Sequence, residues 1–223
     1  NSGKIMCRVM EECTKSTKIT DILDTFVQFY TKLFGTPISG EYNGLERIKS
    51  LVNKKVSNSQ SALLAKPILE AEIKEVFWSL KANKAPGPDG YSAGFFKSSW
   101  DIVGKEVTLA IKSFFDSGKL LSEINSTIIA LIPKIPNPMN VGDYRPISCC
   151  NTIYKCIAKI IANRVKLVLP DLIDPVQSAF VQGRRISDNI FLSQEIMRGY
   201  LRSSKTPKCA MIVDIMKAYD TVR

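Results

Sequence analysis

The chain has 223 residues, 45% of them hydrophobic, and carries a formal net charge of +10 with a pI near 9.3. That is enough to bury a core, as one large domain or one and a half, and the basic balance favours an anionic partner, most simply nucleic acid. Histidine is absent, which excludes histidine triads, histidine-ligated zinc and imidazole bases within these residues.

The charge is uneven. Residues 125–223 hold 14 Lys and Arg against 7 Asp and Glu, whereas residues 1–124 hold 17 against 14, so +7 of the +10 falls in the last 99 positions. The six cysteines show no Cys-x-x-Cys spacing and read as free thiols of a reducing compartment. The sequence has no leader, no lipidation motif and no apolar run long enough to span a bilayer, so an intracellular, non-membrane protein is expected.

Residues 1–18 carry few large apolar side chains and open on Asn, which reads as a linker or frayed helix inside a longer polypeptide. In residues 21–34, Ile22, Phe26, Phe29, Tyr30 and Leu33 recur at helical spacing before Gly35 and Pro37, predicting an amphipathic helix. Residues 39–66 are polar and mixed, and 57–61 are the most linker-like among them. Residues 67–81 predict a second helix, with Pro67 at its start, Glu70 and Glu72 in the first turn, and Ile73, Val76, Phe77 and Leu80 on one face. It runs into Asn83-Lys84-Ala85-Pro86-Gly87-Pro88-Asp89-Gly90, the densest turn sequence of the chain. Its prolines fix φ and its glycines relax it, so the loop has a defined shape, though composition alone fits an ordinary helix connection.

Residues 91–97 and 101–115 predict a short and a longer helix, with Asp101 as N-cap and Gly118 past the end. The β-branched run Ile128 to Ile132 then changes the period and predicts a strand ended by Pro133. Residues 134–148 are proline-rich and place Lys134 and Arg145 on extended, accessible backbone. Two such cations could grip phosphates, or could simply be solvated loop charges. Residues 153–169 predict a strong amphipathic helix stopped by Pro170; 174–180 read as a loop, 181–185 as a second basic turn, and 187–201 as a further helix.

The last stretch, Cys209-Ala-Met-Ile-Val213 followed by Asp214, reads as a short buried strand delivering a carboxylate to a sheet edge. Asp214 could ligate a metal there, with Tyr219 and Asp220 following, or it could cap a helix begun by Met216.

Four stretches in fixed order resemble one family: Asn83-Lys-Ala-Pro-Gly-Pro-Asp-Gly90; Leu131-Ile-Pro-Lys134 with Tyr144-Arg-Pro-Ile-Ser148; Gln177-Ser-Ala-Phe180 with Gly183-Arg184 and Asp188-Asn-Ile190; and Asp214-x-x-Lys-Ala-Tyr-Asp220. Together they are similar to the reverse transcriptase domain of LINE-type (non-LTR) retrotransposons, plant members most readily. The resemblance implies an α+β fold, mainly helical with short strands, forming the fingers and the start of the palm of a right-hand polymerase. Residues 1–66 are then a linker and N-terminal helical extension, 68–207 fingers, and 208–223 the first palm strand.

It also implies roles. Asp214, with the backbone carbonyl of Ile215, would hold two Mg²⁺ ions, or Mn²⁺, in the complete domain, and Tyr219 would be the gate against a ribose 2′-hydroxyl. Lys134 and Arg145 would contact nucleotide phosphates, Gly183, Arg184 and Asn189 would lie near the template, Pro88 and Gly90 would shape their loop, and Asp220 would be a supporting residue. RNA template, DNA primer and deoxynucleoside triphosphates are the implied partners, with an upstream endonuclease and the remaining palm and thumb elsewhere in the polypeptide, in cytoplasm and nucleus.

The sequence departs from that family in one respect: it contains no Asp-Asp pair, and such polymerases bring further carboxylates to the metals on a second hairpin. These 223 residues alone are therefore expected not to polymerise. The competing reading is a non-catalytic RNA-binding remnant or module; an unrelated metal-dependent phosphotransferase would require the four matches to be accidental.

Overall fold

The run Ile128-Ile-Ala-Leu-Ile132 does form the strand that its β-branched composition predicts. In the computed structural model, which describes residues 6–8, 19–35, 49–52, 54–181, 183–198, 200, 211 and 213, it is the centre of a three-stranded sheet. Strand β2 (Thr127–Pro133) pairs in parallel with β1 (Met6–Arg8) and antiparallel with β3 (Tyr144–Cys150). Two of these strands correct the sequence reading. Met6–Arg8, expected as linker or frayed helix, satisfies its backbone by extending the free edge of β2. Residues 144–148, expected as open loop, are strand: Pro146 lies opposite Leu131 on β3, an edge strand, where a missing N–H can face away from the ladder.

The chain divides into two units, Asn1–Ser39 with Pro67–Ile161, and Gly40–Lys66 with Ala162–Arg223. In the first, helix α1 (Ile19–Gly35) buries Phe26 and Tyr30, and the Phe26 ring meets Tyr144 of β3 edge to face at 5.2 Å. The expected apolar stripe is therefore real, and it covers the Tyr144 side of the hairpin.

The core of the same unit joins α3 (Glu70–Ser79), α4 (Ala93–Ser98), α5 (Trp100–Ser117) and the start of α6 (Thr152–Leu172). Ile73, Val76, Phe77, Phe96, Trp100, Ile111, Ile157 and Ile160 meet there. Burying each such side chain is worth about 1.5–3 kcal/mol, which holds these otherwise marginal helices in place. Lys97 closes the end of α3 by donating to the carbonyls of Trp78 (2.9 Å) and Leu80 (2.6 Å).

Capping details also differ from expectation. Helix α3 starts at Glu70 and not at Pro67, since Leu69 is still extended. Ser99, not Asp101, is the N-cap of α5, and Asp101 sits in the first turn, where its charge still complements the helix dipole. Gly118 ends α5 in the left-handed region at φ 67°, as predicted.

In the second unit, Ser57 and Gln60 form a reciprocal capping box that starts α2 (Asn58–Leu64), so the stretch that reads as most linker-like is helix. Gln60 Nε2 donates to Asp171 Oδ2 at 2.7 Å. Pro170 does not stop α6; it lies inside the last turn, where it costs one late hydrogen bond, and Ile173 N closes on Leu169 O at 2.9 Å. Helix α7 (Ile186–Arg198) follows and buries none of its side chains. No helix among the described residues is long and apolar enough to cross a membrane.

Candidate functional site

The β2–β3 hairpin positions the two predicted cations. Arg145 lies opposite Ile132 in the ladder, and the Lys134 N–H continues that ladder onto the Asp143 carbonyl at 2.7 Å. Side chains alternate across a strand, so Lys134, two residues past Ile132, comes to the Arg145 side at a diagonal spacing of roughly 7–8 Å between backbones. Both side chains are exposed. The Lys134 ammonium donates to the Gly142 carbonyl at 2.8 Å, whereas the Arg145 guanidinium makes no hydrogen bond or ion pair with another described residue.

The connection is a built turn. Asp143 accepts from the N–H of Asn140 (2.8 Å) and of Met139 (3.0 Å). These two backbone donors, Asn140 first, hold its carboxyl below the usual carboxylate range, with Lys134 a lesser contributor.

The Asn83 to Gly90 loop is fixed from beneath by the residues that lead into α6. Asn151 is only 3% exposed; its amide donates to the carbonyls of Glu123 (2.8 Å) and Ile124 (3.2 Å), and its oxygen accepts from Asp89 N (3.3 Å). Thr152 Oγ1 donates to Tyr91 O at 2.7 Å, and Lys155 Nζ to Ala85 O at 2.7 Å. Gly87 packs so closely on Asn151 that a Cβ would stand 2.6 Å from its Cα, a distance real Cβ atoms do not reach. Gly90 turns the chain at φ 76°. Nothing in the periodicity marks Asn151; the only sequence signal is a polar residue between a strand and an amphipathic helix.

Around Gln177 to Asn189 the structure gathers the predicted residues into one network. The Arg184 guanidinium donates to four backbone carbonyls, those of Asp174, Gln177 (2.6 Å), Ile173 (3.0 Å) and Pro170 (3.3 Å). Asn189 Nδ2 donates to Ser178 Oγ (2.9 Å) and Val176 O (3.2 Å). Gly183 supplies the φ of 82° that the turn needs. Arg184 thus ties the end of α6, at Pro170 and Ile173, to the loop after it, at Asp174 and Gln177, a favourable place for a cation, and the outward cation of the turn is the exposed Arg185.

Asp214, Ile215, Tyr219 and Asp220 lie outside the described residues. Of the expected final strand only Met211 and Val213 are described; neither is in a strand, and they are 82% and 75% exposed. Nor do three metal-ligating side chains converge among the described residues. Of the described thiols, Cys149, Cys150 and Cys156 are free, and burial pushes Cys156 up to about 12.

Residues 132–223 match the family of reverse transcriptases (RNA-dependent DNA polymerases). Over 228 aligned residues the chain is 31% identical to the 149 kDa protein of transposon TX1 of Xenopus laevis, covering 100% of this chain and 17% of that protein. It is 27% identical over 159 residues to the Pol polyprotein of the R2 retrotransposable element of Nasonia vitripennis, covering 71% and 15%. It is 29% identical over 107 residues to the RNA-directed DNA polymerase of the mobile element jockey of Drosophila funebris, covering 48% and 12%. The chain therefore spans less than a fifth of each relative's length. Lys134, Arg145, Arg184, Asn189 and Asp214 fall within the family match, whereas the Asn83 to Gly90 loop lies outside it and within the longer TX1 alignment.

Proposed function

Residues 132–223 belong to a reverse transcriptase domain of the non-LTR retrotransposon kind, and on that premise we propose that the β2–β3 hairpin grips the triphosphate of an incoming deoxynucleotide during RNA-templated DNA synthesis. The observation that carries this reading is the exposed Arg145 guanidinium, aimed from a strand that its partner strand and α1 hold rigid, and without a carboxylate partner among the described residues. A guanidinium in that state offers a forked donor pair to phosphate oxygens. Lys134 adds a second positive charge beside it once its ammonium leaves the Gly142 carbonyl.

Asp214 and the Ile215 carbonyl are hard oxygen donors, and this donor chemistry suits a divalent ion such as Mg²⁺. Bound there, such an ion would neutralise triphosphate charge and favour the deprotonated primer 3′-hydroxyl. Tyr219 serves as the gate that rejects a ribose 2′-hydroxyl. Arg184 and Asn189 act one step back: they hold the 174–181 loop in shape, so that Arg185 and Gln177 face the RNA. The protein's substrates in this account are an RNA template, a primer and deoxynucleoside triphosphates.

The test is steady-state extension by a domain completed with the further palm carboxylates. Arg145→Ala should raise the KM for deoxynucleotide at least about tenfold, the loss of one charge-assisted pair, and Arg145→Lys should restore part of it. An unchanged KM would remove Arg145 from the nucleotide site.

A further inference from the structure

The Asn83 to Gly90 loop has no task in the nucleotide grip, yet it borders a cavity of about 250 Å³ within the first unit. Leu80, Ala93, Ile147 and Cys149 give it an apolar wall, and Lys81 and Lys84 stand at its rim. No lining residue is acidic. Lys81 and Lys84 form no hydrogen bond or ion pair with another described residue, whereas the third lining lysine, Lys155, is held by Ala85 O. The wall is preset: Gly87 is locked on Asn151 and Tyr91 on Thr152, so the loop cannot collapse into the space. Ile147 and Cys149 lie on the same face of β3 as Arg145 by strand alternation, so the cavity continues the strip that begins at the proposed nucleotide grip.

An apolar slot with unpaired ammonium groups at its mouth suits a ligand with a flat apolar body and an anionic edge. Its volume lies below the range of sites for drug-sized molecules, which leaves room for one base and not for a whole cofactor. We propose that this cavity binds one nucleotide unit, its base against Ile147 and Cys149 and its phosphate on Lys81 and Lys84. Resting on the reverse transcriptase reading, that unit is an unpaired nucleotide of the RNA strand next to the Arg145 site. The same chemistry is offered by a free nucleoside triphosphate, and the test separates the two.

Cys149 is a built-in reporter. Cys150, on the other face of β3, where its sulfur accepts from Thr127 Oγ1 at 3.6 Å, is the internal reference. The 223-residue chain is treated with iodoacetamide alone, with short single-stranded RNA, with a deoxynucleoside triphosphate, or with tripolyphosphate, and alkylation is located by mass spectrometry. RNA should slow Cys149 at least about fivefold relative to Cys150. The exposed pair Lys81→Ala with Lys84→Glu should remove that protection, weaken RNA binding about tenfold, and lower its salt slope by roughly 0.7, for the one phosphate no longer neutralised. Unchanged circular dichroism excludes unfolding as the cause.

Protection by the triphosphate and not by RNA would keep the nucleotide class and assign the free form. Protection equally by tripolyphosphate would overturn base recognition. A chain that binds RNA but leaves Cys149 unprotected overturns the cavity alone, and a chain that binds neither RNA nor nucleotide overturns this site and the proposed function together.

Discussion

Gly87→Ala is the sharpest perturbation of the scaffold that carries the proposed site. The new methyl group would stand 2.6 Å from Asn151 Cα, against backbone that cannot swing aside as a long side chain could. Overpacking of this kind costs about 1–3 kcal/mol, and separating the loop from Asn151 also loses the Asp89 N–H bond to its amide oxygen, about 0.5–1.5 kcal/mol more. The expected total is about 1.5–4.5 kcal/mol, or a fall of roughly 3–18 °C in Tm at this chain length. The chain has two tryptophans, Trp78 and Trp100, both in the first unit and in contact at 5.3 Å. Their fluorescence therefore follows the unit that contains Gly87. Gly90→Ala is the control: a Cβ there meets nothing within 4 Å, so only the strain of φ 76° is felt, about 1 kcal/mol. If Gly90→Ala destabilises as much as Gly87→Ala, or Gly87→Ala melts as wild type, the close packing of loop on Asn151 is refuted.

Arg184→Ala should release the 174–181 loop at a cost of about 2 kcal/mol, read as faster amide exchange of those residues, and Arg184→Lys should not rescue it because an ammonium cannot span four carbonyls; unchanged exchange would contradict the staple. The depressed pKa of Asp143 makes the 139–143 turn pH-dependent: its stabilisation is present above the unfolded carboxylate pKa and lost as pH falls through the lower folded value. Amide protection at Asn140 should therefore drop below about pH 4, and Asp143→Asn should lose protection at neutral pH; protection unaltered by acid would count against the cause given. In a completed domain, Tyr219→Val should admit ribonucleotides, and unaltered sugar selectivity would remove Tyr219 from the gate.

What was legible in the sequence was what depends on one element at a time. The apolar stripes of α1 and α3, the β-branched run of β2 and the left-handed Gly118 each follow from local periodicity or backbone preference, and each is where the residues say. Misreadings arose where context overrides composition. Prolines made residues 144–148 look like loop, but an edge strand tolerates Pro146. Serines made 57–61 look like linker, although Ser57 and Gln60 stand at capping-box spacing. Pro170 was a stop signal that the last turn of α6 absorbs. Asn151 and the inward course of Arg184 were not legible, because their partners lie on other segments. Asp214 rests on resemblance of the whole motif series, since one aspartate after an apolar run fits a helix cap as well as a metal ligand.

The measurement that bears most directly on the central claim is RNA-templated primer extension by a domain completed around these residues, with Asp214→Asn compared to wild type and RNA binding recorded in parallel. If Asp214 holds metal and not template, as proposed, extension should disappear while RNA affinity stays within about twofold. Extension that survives the substitution, or RNA binding that fails with it, would contradict the account.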